Sequence, residues 1–168
     1  MFKKFKTLFF VKSSLIFLYL ALTLPIPFIS GDNLKIFSII LFVFGFFLII
    51  DFTSDFVQIY DEKIVYKTSF FSRIFGKKNW EILWEDINLI KSFPTSQGSK
   101  VHYFVTKKNQ NYLVPQRLDN FEVFLLMVSK KTGLNLDEIN YISPLWTYKL
   151  LTVLSIFMII GEIIAFNI

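Results

Sequence analysis

A chain of 168 residues normally folds as one soluble domain, but 54% hydrophobic residues, 22 phenylalanines and a mean hydropathy of +0.52 exceed what a globular core needs. This is the composition of a membrane protein, and the absence of cysteine excludes disulfides, thiolate metal sites and thiol chemistry. The net charge of +5 is not a nucleic-acid signal: Lys3, Lys4, Lys6 and Lys12 sit at the N-terminus, whereas residues 52–144 hold 12 basic and 10 acidic side chains.

Residues 1–52 read as an N-terminal region with two transmembrane helices. Ser13 to Ile29 is almost wholly apolar, and from Leu34 to Phe52 the only charges are Lys35 and Asp51, both near the ends. A hydrocarbon core about 30 Å thick needs about 20 such residues, which the second run meets more fully than the first. Pro25 and Pro27 fall late in the first run, where lost backbone donors are tolerated near headgroups. "ISGDN", Ile29 to Asn33, supplies the turn. The competing reading is a secretory signal peptide with "MFKKFK" as its charged region, but no small-residue cleavage site precedes the second run. Four lysines before the first span against Lys35 in the turn place the N-terminus in the cytoplasm, and two crossings return the chain there.

Residues 53–142 form the water-facing domain. "NWEILWE", Asn79 to Glu85, alternates with period two: Trp80, Ile82 and Trp84 face one side, Glu81, Leu83 and Glu85 the other. Similar extended runs cover Asp55 to Tyr60, Lys63 to Phe71, Asp86 to Phe93, Lys100 to Lys107 and Asn111 to Pro115, separated by turn residues at Asp61, Pro94 and Lys108. About six short strands predict a meander curled into a sandwich or partial barrel. The period then changes. Phe121, Phe124, Leu125 and Val128 recur at helical spacing, Asp119 and Glu122 have the spacing of a capping box, Lys130 and Lys131 occupy the last turn, and Gly133 sits at the C-cap.

Residues 143–168 read as a third transmembrane helix, opened by the interfacial side chains Trp146, Tyr148 and Lys149 and uncharged from Leu150 to Gly161. The alternative is a helix lying in the interface, although it lacks a strongly charged face. Glu162 interrupts the span. Counted from Trp146, about 16 residues at roughly 1.5 Å each carry it about 24 Å across, to the level where Lys35 opens the second span. A pairing of Glu162 with Lys35 is expected, with small Gly161 permitting close approach; a partner subunit's cation and a frayed, solvated end are the alternatives.

The pattern "IYDEKIVYKTSFF", "KKNWEILWEDINLI", "YFVTKKNQNYLVP" and "DNFEVFLLMVSKKTG" resembles the PH-like domain of small bacterial membrane proteins, with Trp84, Asp86 and Ile87 matching its recurrent step between strands. More narrowly, the two-span hairpin followed by a strand-rich domain is similar to the photosystem I assembly proteins of cyanobacteria and chloroplasts, which lack the third span. The resemblance implies an α+β membrane protein in which a hairpin precedes a PH-like sandwich with a C-terminal capping helix. It also implies scaffolding or recognition rather than catalysis, in a bacterial inner membrane or a thylakoid membrane.

Chemistry-bearing motifs are sparse. No Gly-rich phosphate loop occurs, and His102, the sole histidine, has no second His or Cys to complete a familiar metal set; it reads as a surface or core residue whose replacement by Asn leaves folding unchanged. Glu81, Glu85 and Asp86 form a carboxylate cluster only in sequence, since alternation puts Glu81 and Glu85 on the solvent face. No catalytic residue, metal or cofactor is expected. One loop stands out: Arg73, Ile74, Phe75, Lys77 and Lys78 combine charge with an apolar tip, either a contact for anionic headgroups or a protein partner, or a solvated hairpin. The ranking that follows is a membrane scaffold or assembly factor whose domain binds another membrane protein, then anionic-lipid sensing, then a transporter or channel subunit.

Overall fold

The computed structural model describes residues 2–96 and 98–166. By internal packing the chain divides into two units, one of Met1–Leu8 with Asp55–Pro144 and one of Phe9–Ser54 with Leu145–Ile168.

The first unit is built on two antiparallel sheets. Strands β1 (Lys3–Lys6), β2 (Phe56–Ile59), β3 (Lys63–Lys67) and β4 (Trp80–Leu83) form one in that order, and β5 (Ile87–Pro94), β6 (Lys100–Thr106) and β7 (Asn111–Leu113) form the other. The predicted alternation holds in β4: Ile82 is buried while Glu81 and Leu83 are exposed. The expected single strand through Glu85 is nevertheless broken by a 3-10 turn, Trp84–Asp86, which lets Trp84 remain buried and donate its indole N–H to Tyr60 O at 3.0 Å. That turn carries the chain from one sheet to the other.

Strand β1 departs from the reading of the N-terminal lysines as a flanking charge cluster. They pair with β2 from Lys3↔Ile59 to Lys6↔Phe56. The reason is Phe5, the one apolar residue of the four, which is buried and meets the Phe124 ring edge-on at 5.5 Å while the lysines project outward. The first eight residues therefore belong with the strands, and the boundary expected at residue 52 encloses parts of two units. Beyond β1 the backbone stays bonded to one segment: Leu8 N–H donates to Arg117 O and Asp119 N–H to Lys6 O, both at 2.8 Å.

Helix α5 (Phe121–Thr132), numbered in chain order, buries Phe121, Phe124 and Val128 in the core with Val57, Ile64 and Phe104. Its C-cap is as predicted, Gly133 at φ 71° with its N–H on Ser129 O. The Asp119–Glu122 capping box does not form. Asn120 is the N-cap, in left-handed geometry without a side-chain cap bond, because Asp119 is drawn onto β1 and its carboxylate accepts from Asn120 N–H instead.

In the second unit α1 (Phe9–Thr23) and the short α2 (Ile26–Ile29) make up the first apolar run, broken where Pro25 and Pro27 remove backbone donors. After Ser30 and Gly31 comes α3 (Asp32–Phe52), and the unit closes with α6 (Leu145–Phe166), so that α4 denotes the short helix Phe70–Ile74 of the first unit. Residues 167 and 168 of the expected third span lie outside the described residues. Phe9–Ile29, Asp32–Phe52 and Leu145–Phe166 are three helices long and apolar enough to cross a membrane.

Small residues sit where these helices meet: Ser14, Ala21 and Ser155 are each buried, and both serines bond their own helix backbone. Tyr19 stacks on Phe42 and donates to Phe42 O at 2.6 Å, lying against Gly45, where a Cβ would collide with its hydroxyl. Helix α6 packs along α1, with Lys149 Nζ 4.9 Å from the Phe10 ring centroid near the start of both, so the two run parallel.

Candidate functional site

Two features of the strand unit are candidates. The first is the β3–β4 connection that carries the basic residues. The expected strand through Phe71 ends at Lys67, because Thr68 N–H and hydroxyl both bond Asn79 Oδ1 and Ser69 starts α4 instead. Gly76, at φ 91°, turns the chain back. Ser72, on the inner face of this helix, is fully buried, whereas Phe70, Ile74 and Phe75 are 59%, 62% and 71% exposed. The apolar tip thus faces outward.

The loop is held by Asp55, a nearly buried carboxylate that sequence reading passed over. It accepts from Tyr66 Oη at 2.9 Å, Ser69 N–H at 2.8 Å and Lys77 Nζ at 2.9 Å. Burial, reinforced by the Asp55 charge and their hydrogen bond, pushes the Tyr66 phenol well above its ordinary pKa, so Tyr66 stays a donor. Lys77 is ion-paired with Asp55 while its side chain stays exposed, and Arg73 and Lys78 are exposed beside it.

The second candidate is a cleft of about 230 Å³ at the seam between the sheets, lined by Lys63, Glu81, Leu83, Asp86, Lys108 and Gln110 among others. Among the described residues β4 and β7 each have one hydrogen-bonded neighbour, so each leaves one edge open. Trp80 closes one end of this seam against Tyr112, ring centroids 5.6 Å apart. Lys63 and Glu81 pair at 3.0 Å across its wall, an exposed contact of little stabilising value that leaves both charges available to a ligand. The volume lies below the roughly 300 Å³ at which small-molecule pockets begin, so the cleft suits one or two side chains better than a cofactor. Glu81 and Glu85 are exposed, as alternation predicts.

His102 is a core residue. It is 2% exposed, with Nδ1 2.8 Å from Ser92 Oγ and its backbone carbonyl accepting from Val114 N–H. Burial first, and the Lys100 charge second, hold its imidazole below the usual histidine range, opposed by Glu138. Among the described residues no group of three or more His, Cys, Asp or Glu is placed to hold a metal.

The expected Glu162–Lys35 pair is absent among the described residues. Lys35 is exposed on the first turn of α3, whereas α6 packs on α1, and Glu162 Oε2 is buried with no hydrogen-bond partner. Gly161 allows no close approach either, since a Cβ there would meet nothing within 4 Å.

Fold and site define a class: a mixed α+β protein with two antiparallel sheets and three helices apolar enough to span a membrane. No family model matches the chain. Over 161 residues, 92% of this chain and 80% of the relative, it is 29% identical to the uncharacterized protein slr0269 of the cyanobacterium Synechocystis sp., of which it is a homologue.

Proposed function

We propose that this chain is a non-enzymatic, membrane-anchored scaffold whose strand unit is a PH-like domain that binds an extended segment of a membrane-protein partner along the open seam between β4 and β7. The PH-like reading draws support from the order of elements: a four-stranded and a three-stranded antiparallel meander, then one helix packed into the core. The observation that carries the binding role is the cleft between two unpaired strand edges, walled by charges of both signs. Main-chain edges supply affinity to an added strand, and pockets for alternate side chains supply selectivity.

Pairing of β1 with β2 bears on topology. Residues 3–6 and 56–59 are hydrogen-bonded neighbours, which supports the reading that both ends of the segment 9–54 lie on one side of the membrane. With the lysine-rich N-terminus this favours a cytoplasmic strand unit, in a bacterial inner membrane or a thylakoid membrane. A photo-crosslinking side chain at Leu83 or Leu113, in the full chain in native membranes, is expected to capture the same partner, while one at Leu126 on the exposed face of α5 captures none. Capture from Leu126 alone, or none from the seam, refutes the assignment.

A further inference from the structure

We infer that the tip of the β3–β4 loop, Phe70, Ile74 and Phe75, inserts into the interface of the bilayer that holds the spans, with Arg73 and Lys78 on anionic headgroups. Three observations carry this. The first is exposure: three large apolar side chains on one short helix and its cap are each more than half exposed, while Ser72 between them is buried. Scattered apolar residues need no explanation, but a contiguous cluster rimmed by cations has the makeup of an interfacial contact.

The second is covalent reach. Lys67 pairs with Phe56, which pairs with Lys6, so the loop springs from the sheet end at which the chain passes from Leu8 into α1 and from α3 into Asp55. Asp55 is the third residue beyond Phe52, at most about 10 Å of extended chain. The loop is bonded directly to it, through Ser69 N–H at 2.8 Å and Lys77 Nζ at 2.9 Å. A five-residue helix adds only about 8 Å. Only a short length of chain thus separates the tip's anchor from the ends of two candidate spans, which favours lipid over a distant partner as its cover.

The third is preorganisation. Asp55 fixes both arms of the loop, so little ordering entropy opposes docking, and it pairs with Lys77, so that Arg73 and Lys78 are the exposed cations that Asp55 does not engage. With only two such cations the headgroup contribution is modest and orients a domain already anchored. This contact is independent of the seam proposed for the protein partner.

The absence of cysteine makes the test direct. Phe75→Cys in the full chain carries an environment-sensitive fluorophore, and the protein is placed in nanodiscs of phosphatidylcholine with or without phosphatidylglycerol. Emission at position 75 is expected to shift to the blue and to be lost to a quencher borne on lipid chains, more so with phosphatidylglycerol, while the same label at Glu122 stays water-like. Arg73→Glu with Lys78→Glu is expected to abolish the phosphatidylglycerol enhancement with an unchanged melting curve. Water-like emission at position 75 in both compositions overturns the proposal. So does blue-shifted emission that lipid quenchers do not reach, which means a protein covers the tip, and so does quenching indifferent to lipid charge and to the double charge reversal.

Discussion

Truncation of Phe5 to alanine tests whether the N-terminal residues are part of the strand unit. Phe5 is 3% exposed, lies opposite Val57 in the β1–β2 register and meets Phe124, itself fully buried, edge-on. Removing a buried phenylalanine costs about 3–5 kcal/mol, of which the aromatic pair accounts for about 0.5–1.5. Even the lower figure raises the unfolded fraction roughly a hundredfold, at about 1.4 kcal/mol per tenfold. Thr7 Oγ1 lies 3.1 Å from Asp55 O, so the two chain ends are adjacent and a Gly/Ser linker of about four residues, some 13 Å extended, can replace residues 9–54. That shortened chain, ending at Pro144, is expected to unfold in one urea transition. Phe5→Ala and Phe124→Ala should each lower its midpoint, and together they should cost less than the sum of the two, since the rings touch. In the full chain in detergent, Phe5→Ala should expose the strand unit to limited proteolysis. An unchanged midpoint for Phe5→Ala, or a fragment starting at Asp55 that is as stable as the one with β1, refutes the placement of Lys3–Lys6 in the sheet.

Gly45→Ala is expected to destabilise the helical unit by about 1–3 kcal/mol, because the added Cβ runs into the Tyr19 hydroxyl; Tyr19→Phe should recover part of that loss, and thermal melting without recovery would show another cause. His102 sets a pH dependence. Its folded-state pKa lies below that of the unfolded chain, so its contribution is complete above about pH 6.5, falls as pH drops through the lowered value, and is flat below it. His102→Asn should remove that slope in urea titrations and, since the side chain is buried and bonded, should also cost stability; a slope that survives assigns the effect to carboxylates. Cysteines at Ser96 and Ile164 in the otherwise cysteine-free chain should react with impermeant reagent from opposite sides of the membrane, and same-side labelling removes the third crossing.

The three long apolar helices, the alternation through Ile82 and Trp84 and the Gly133 cap could all be read from sequence, because each is a local property: a run about 20 residues long, a period of two, a left-handed glycine after a helix. The exposed apolar tip at Ile74 and Phe75 was legible in the same way. Strand β1 was not, since four residues with one phenylalanine carry no period, and its partner lies some 50 positions away beyond a helical hairpin. The same long-range pairing draws Asp119 away from the helix N-terminus and overrides a capping box that local spacing predicts. Asp55 looks like any acidic linker residue until folding surrounds it with Tyr66, Ser69 and Lys77. Only tertiary structure decided that α6 packs on α1 and that Glu162 Oε2 is left there without a hydrogen-bond partner. Apolar length and period are written along the chain, whereas polar groups take the partners that folding brings within hydrogen-bond distance.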